Sequence, residues 1–160
     1  MTKLSAGILM YRRSARGIEL LLAHPGGPFW ANKDQGAWSI PKGEYGEGED
    51  PLATAKREFA EELGSALPAR PLLNLGAIKQ PSRKVITAFA LEGDFDPATL
   101  ASNRFELEWP PKSGRKQSFA EIDAAQWFTP EEARDKILPG QAPFIDRLLE
   151  CLGLPTGGQR

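Results

Sequence analysis

The stretch "PKGEYGEGEDPLATAKREFAEELG", residues 41–64, encodes a helix with both ends marked. Asp50 has the short acceptor side chain of an N-cap, Pro51 fits the first helical position, and Gly64 suits the C-terminal stop. Between them Leu52, Ala55, Phe59 and Leu63 recur at helical spacing as one apolar stripe, so this helix lies against a core. Its other side is costly. Glu58, Glu61 and Glu62 are spaced i, i+3, i+4, which gathers them on a common face turned away from the stripe. They occupy the last turns, where the macrodipole favours a cation rather than a carboxylate by roughly 0.3–1 kcal/mol per charge. A divalent cation removes both the repulsion and the dipole penalty, because Mg²⁺ takes oxygen ligands, commonly one or two carboxylates with waters and substrate phosphates. The plain alternative is a solvated acidic face. The Gly-rich turn upstream favours the cation: it carries Lys42 and runs directly into the capped helix. A lysine and flexible backbone facing carboxylates make a place to hold a phosphate chain and its metal.

The order Gly43, five residues, Glu49, seven residues, Arg57-Glu58, apolar Phe59, one residue, Glu61-Glu62, one residue, Gly64 resembles the signature box of the Nudix hydrolases. That family cleaves diphosphate linkages in compounds made of a nucleoside diphosphate joined to another group. The seven polar or glycine positions of the 23-residue box all match, and the single departure is Ser65 at its final apolar position. Ser65 should affect packing after the helix more than metal chemistry. "SAGILMYRR" (5–13), "HPGGPFWANKDQGAWSIPKGEY" (24–45) and "NRFELEWPPKSGR" (103–115) are similar to a bacterial subgroup of Nudix nucleotide pyrophosphohydrolases. "WSIPKGEYGEGED" (38–50) is similar, more narrowly, to asymmetrical diadenosine tetraphosphate hydrolases. The resemblance implies an α/β/α sandwich around a mixed sheet, with the box as loop–helix–loop. It implies metal ligation by Glu58, Glu61 and Glu62, an added ligand from the Gly43 carbonyl, and Arg57 orienting a carboxylate. Mg²⁺ is the implied cofactor, with Mn²⁺ as its substitute, and a nucleotide the implied substrate. The general base comes either from the box, where Glu58 and Glu61 are candidates, or from a glutamate on a later loop. Glu121 in "SFAEIDAAQWF" stands where such a glutamate occurs, after polar Lys116, Gln117 and Ser118, which suit a mobile loop.

The rest of the chain fits one domain. Its 160 residues, 41% hydrophobic and 26% charged, are ordinary for a soluble globular protein with a real core. A net charge of −1 excludes holding nucleic acid by bulk electrostatics, so any acidic ligand must be gripped locally. The one cysteine, Cys151, excludes an internal disulfide and a Cys-based zinc site. It lies among Phe144, Leu148, Leu149 and Leu152 and reads as a buried structural thiol. No apolar run approaches the ~20 residues needed to cross a bilayer, and the N-terminus lacks a secretory cleavage pattern, so a cytoplasmic protein is expected. Strands are expected at 5–13, 18–24, 73–79, 84–92, 104–109 and 124–128, with a brief extended segment at 38–40. Helices follow near 130–136 and 141–152. Elements mix without regular βαβ alternation, which indicates an α/β sandwich on a mixed sheet. The domain is expected over 1–154, with a frayed tail over 155–160.

Several side chains carry two readings. Lys42 is a phosphate contact or a solvated loop lysine, and Glu49 a helix support or a site residue. Phe29, Trp30 and Trp38 flank the box and are candidates to stack on a base, a contact worth about 1–3 kcal/mol. Of these Trp38 reads as core, and Trp30, in its Gly/Pro loop, is the candidate substrate contact. His24 ends a strand, which favours a structural role over a catalytic base. Phe105, Leu107 and Trp109 alternate with Glu106 and Glu108 as in a half-buried strand. Arg83, with Lys84, Lys112, Arg115 and Lys116, is available to grip phosphates. The leading reading is an Mg²⁺-dependent hydrolase in which water attacks a phosphorus of a nucleoside triphosphate or a dinucleoside polyphosphate. The competing class is a nucleotide-binding regulatory module without chemistry, which has no need of every box glutamate. A calcium module of EF-hand type lacks its ligand pattern. Monomer and homodimer both remain open.

Overall fold

The computed structural model describes residues 2–156; the expected tail lies, from residue 157 on, outside the described residues. Eight strands and three helices follow in the order β1 (Leu4–Ser14), β2 (Gly17–Pro25), β3 (Lys42–Tyr45), α1 (Pro51–Leu63), β4 (Leu72–Lys79), β5 (Val85–Glu92), β6 (Arg104–Glu108), β7 (Lys116–Ala120), β8 (Ile122–Phe128), α2 (Pro130–Lys136) and α3 (Pro143–Cys151). The main sheet runs β4-β5-β1-β2-β8, with β3 also paired to β1. It is mixed: β1 is parallel to β5 and antiparallel to β2 and β3. The start of β1 (Leu4–Gly7) carries β3, and its end (Tyr11–Ser14) carries β2. One long strand thus joins the box to the rest of the sheet.

Period-two alternation along β1 divides the core. Ala6, Ile8 and Met10 join Phe59 and Leu63 of α1, with Phe89, Leu91, Ile122 and Trp127, in one buried cluster. Leu9 and Tyr11 join the other, which gathers Leu20, Leu22, Trp38 and Phe128 with Ile137, Phe144, Ile145 and Leu148. Helix α1 therefore covers one face and α2 with α3 the other, as an α/β/α sandwich. The α1 caps are those expected. Asp50 accepts from the Ala53 N–H (3.2 Å), Pro51 opens the helix, and Gly64 closes it at φ 77°. A Cβ on Gly64 would also run into Ala101, so the position demands glycine twice over.

Three expectations need correction. Lys42–Tyr45 is not a free turn but β3, its residues paired with Gly7 to Leu4 of β1. Lys116–Ser118 is not a mobile loop: it belongs to β7, which pairs with β6 as a separate two-stranded ribbon. Arg104 pins that ribbon through Nε to Ser118 Oγ (2.8 Å) and Nη2 to the Ser118 carbonyl (2.9 Å). Cys151 is exposed rather than buried. The buried side chains of α3 are Phe144, Ile145, Leu148 and Leu149, and at 100° per residue Cys151 falls about 90° from the middle of that stripe. Ser65 is exposed, so its polarity leaves no apolar pocket unfilled.

Candidate active site

The three carboxylates of α1 do not share one open face. Glu58 and Glu62, one turn apart, face the seam between α1 and β3. The Glu58 side chain is only 17% exposed, and that of Glu61 is 45% exposed. Gly43 lies so close to Glu58 that a Cβ there would meet its carboxyl group and its Cγ. The backbone of Lys42 lies beside the Glu62 carboxyl and favours its charged form. Strand β3 thus presses two carboxylates together, and its glycine makes that approach possible.

The electrostatic consequence is large. Burial first, then the charge of Glu58 and more weakly that of Glu121, pushes the Glu62 carboxyl up to about 8; Lys42 opposes the rise. The Lys42 ammonium in turn is pushed below the usual lysine range by burial and by Lys84, against the pull of Glu62, Glu44 and Glu58. Arg57 holds the outer side, with Nη2 3.3 Å from Glu58 Oε2 and Nε 3.8 Å from Glu61 Oε2. Glu44, Glu58, Glu61, Glu62 and Glu121 outnumber Lys42, Arg57 and Lys84 around the seam, which therefore lacks positive charge.

Glu121 comes to this place through backbone alone. Asn103 N–H donates to the Glu61 carbonyl (2.9 Å), Glu121 N–H donates to the Asn103 carbonyl (2.8 Å), and Gly26 N–H donates to the Glu121 carbonyl (2.8 Å). The glutamate sits in the single-residue break between β7 and β8, fixed on both sides rather than on a swinging loop. Glu49 accepts the Gly46 N–H (2.6 Å) and serves the turn into the helix.

The remaining candidates lie elsewhere. Arg83 is exposed at φ 69° in the β4–β5 turn, its N–H on the Gln80 carbonyl (2.9 Å), and among the described residues it forms no ion pair with the box carboxylates. Its neighbour Lys84 pairs with Glu44 (3.6 Å). Trp30 is half-buried against the cluster under α2 and α3, with the Lys33 ammonium 5.5 Å from its ring centre. His24 is buried, its Nδ1 2.7 Å from Asp123 Oδ1 and its Nε2 2.6 Å from the Lys33 carbonyl, and it serves as an anchor for the 25–37 loop. Trp38 is buried as expected, its Nε1–H donating to Asp34 (2.9 Å). A hollow of about 540 Å³ between β2, α2 and the end of α3 contains none of the box residues. Its arginines are already paired, Arg16 with Glu19 and Glu132 and Arg134 with Asp146.

Among the described residues, no group of three or more His, Cys, Asp or Glu side chains stands assembled to hold a metal by itself. The donor set at the seam still fits a hard divalent cation. Two crowded carboxylates, a third beside them and the adjacent Gly43 backbone supply oxygen only, and Mg²⁺ typically completes so few protein ligands with water and phosphate. The Gly43 cradle against Glu58 keeps that oxygen set free of side-chain bulk.

A model of the NUDIX domain matches residues 1–148. No curated protein matches the chain. Among solved structures, an Ap4A hydrolase binary complex from C. elegans superposes with a TM-score of 0.64 at 20% identity, covering 93% of this chain and 98% of that one. The NUDIX domain of Shewanella oneidensis NrtR complexed with ADP ribose gives 0.63 at 16% identity, covering 95% and 89%. The MutT protein of Methanosarcina mazei Go1 gives 0.60 at 17% identity, covering 94% and 95%. At these identities the structural likeness speaks for the fold.

Proposed function

Because the chain belongs to the NUDIX domain family, we propose that it is a nucleotide pyrophosphohydrolase working at the α1–β3 seam on a nucleoside triphosphate or a dinucleoside polyphosphate. The observation that carries this reading is the crowding of Glu58 and Glu62 against Gly43 and the Lys42 backbone, short of positive charge. An Ap4A hydrolase and an ADP-ribose complex among the neighbours of the fold support a nucleotide with a diphosphate linkage as the substrate class.

Glu58, Glu61 and Glu62, with the Gly43 carbonyl, would hold Mg²⁺, or Mn²⁺ in its place. When bound, the ion neutralises charge developing on the phosphoryl oxygens and makes water a better nucleophile. Arg57 fixes Glu58 and Glu61 in position. Lys42, which interacts with Glu62, would add positive charge to meet the phosphate chain. Water oxygen bonds to one phosphorus of the bridge, Glu121 accepts the water proton, and the bond from that phosphorus to the bridging oxygen breaks. The second phosphate leaves with the bridging oxygen. Glu58 is the alternative base.

The test is purified protein with Mg²⁺ against the four nucleoside triphosphates, diadenosine tetraphosphate and ADP-ribose, both products identified by mass. Pyrophosphate plus a nucleoside monophosphate supports the triphosphate substrate. A mononucleotide plus a nucleoside triphosphate supports the dinucleoside one. Binding without turnover across the panel would overturn the enzyme in favour of a regulatory module.

A further inference from the structure

Phe29 is the large hydrophobic side chain that stands exposed among the described residues, 61% open to solvent. An isolated exposed apolar side chain needs no explanation, but this one is built into place. Its ring meets Trp109 edge-on, centroids 5.3 Å apart and planes at 80°. Trp109 continues the β6–β7 ribbon, its N–H donating to the Arg115 carbonyl (2.9 Å), so a guanidinium-bearing residue stands opposite it. The half-buried residues Phe105, Leu107 and Trp109 alternate with exposed Glu106 and Glu108, which gives the ribbon one apolar side.

Two glycines let the 25–29 segment lie flat against that ribbon. A Cβ on Gly26 would collide with the Ala120 carbonyl, and one on Gly27 would come within 3.0 Å of the Phe105 ring at a backbone φ of 93°. Only with both positions bare does Pro28 carry Phe29 to the edge of Trp109. The same segment is tied to the acidic seam by the backbone ladder from Glu61 through Asn103 and Glu121 to Gly26. Phe29 lies three residues beyond Gly26, so its backbone stands no more than about 10 Å from that tie. From Gly26 the ladder runs on through Glu121 and Asn103 to Glu61, so Phe29 and the seam belong to one hydrogen-bonded frame. An open aromatic ring, stiffened by a second ring and joined through the backbone to the acidic seam, suits a flat π-system.

We propose that the open face of Phe29, backed by Trp109, is the shelf on which the base of a nucleotide stacks while its phosphates reach the α1–β3 seam. This rests on the nucleotide reading of that seam. Trp30, the next residue, faces the core cluster instead and is already covered by Lys33.

The test measures binding as well as turnover. Wild type, Phe29→Ala and Phe29→Trp are titrated by calorimetry with ATP, GTP and diadenosine tetraphosphate, and with inorganic triphosphate as a base-free probe. Michaelis constants are measured for whichever nucleotide is hydrolysed. The expected result is binding weakened about 5- to 100-fold in Phe29→Ala, recovery in Phe29→Trp, turnover within threefold of wild type, and inorganic triphosphate unaffected. Nucleotide affinity within twofold of wild type in Phe29→Ala, or equal weakening of the base-free probe, would overturn the shelf. So would a wild type that binds none of the three nucleotides. Phe29-dependent binding without hydrolysis would keep the shelf and sink the enzyme reading; hydrolysis indifferent to Phe29 would do the reverse.

Discussion

Replacing Glu62 by glutamine should stabilise the metal-free fold at neutral pH while it abolishes activity. In the unfolded chain this carboxyl ionises near 4.5, but in the fold burial and Glu58 raise it to about 8. Folding therefore takes up a proton between those values. Stability is fully present below pH 4.5 and is lost as the pH rises toward and through 8. Each pH unit in that window costs about 1.4 kcal/mol, so between pH 4.5 and 7 the loss comes to roughly 3 kcal/mol. Glutamine fills the same space, keeps an acceptor oxygen toward the Lys42 backbone and has no proton to lose. For a chain of this length about 1 kcal/mol moves the melting point by roughly 2–4 °C, so at pH 7 the variant should melt some 6–12 °C (roughly, on the same conversion) above wild type in EDTA. At pH 4.5 the two should coincide. Thermal unfolding of both proteins from pH 4.5 to 8.5, with EDTA and then with excess Mg²⁺, checks this directly. Excess Mg²⁺ should raise wild type toward the variant and leave the variant unmoved. A melting difference that stays flat with pH, or a variant that melts lower throughout, would refute the crowded-carboxyl argument.

Glu121→Gln should lower turnover about 10²–10⁴-fold with little change in substrate binding, and should shift or remove the acid limb of the pH–rate profile. A variant within threefold of wild type with the same profile would move the base to Glu58. Gly43→Ala inserts a Cβ into the Glu58 carboxyl; it should cut activity at least about tenfold and destabilise the fold by about 1–3 kcal/mol, as read by assay and denaturant melt. Glu19 is a control far from the seam: it is buried, with Arg12 Nε at 2.9 Å and Arg16 Nη2 at 2.8 Å. Burial would raise its carboxyl, but the bonds from Arg16 and Arg12 outweigh this and hold it below the usual range. Its contribution is present above the ordinary carboxylate range and is lost as pH falls, so Glu19→Ala should cost about 1–3 kcal/mol at pH 7 and less in acid, with activity per folded molecule retained.

Much of this was legible in local sequence because local physics determined it. The caps Asp50 and Gly64, the stripe through Ala55, Phe59 and Leu63, and the boundaries of α2 all follow from spacing and end chemistry within one element. Strand β3 was not legible: "KGEY" contains a glycine and lacks an apolar alternation, and only its pairing with Leu4–Gly7 makes it a strand. Strand β7 was missed for the same reason, since Lys116, Gln117 and Ser118 are exposed and derive their order from β6. At the site, helical spacing grouped the three glutamates, but only β3 decides that Glu58 and Glu62 are enclosed while Glu61 stays open. The edge contact between Phe29 and Trp109 joins residues far apart in the chain. No periodicity carries such a pairing, although the Gly26-Gly27 pair marks where the chain must pass close to something.

The most direct test of the account is hydrolysis in ¹⁸O-labelled water with Mg²⁺, using the preferred nucleotide and both wild type and Glu61→Gln. Water attack at phosphorus predicts one labelled oxygen, on a phosphoryl group of a single product. Removing the metal with EDTA should stop the reaction, and Glu61→Gln should slow it at least about a hundredfold. Label on the ribose or base, or a labelled phosphoryl product formed at the wild-type rate by Glu61→Gln, would contradict it.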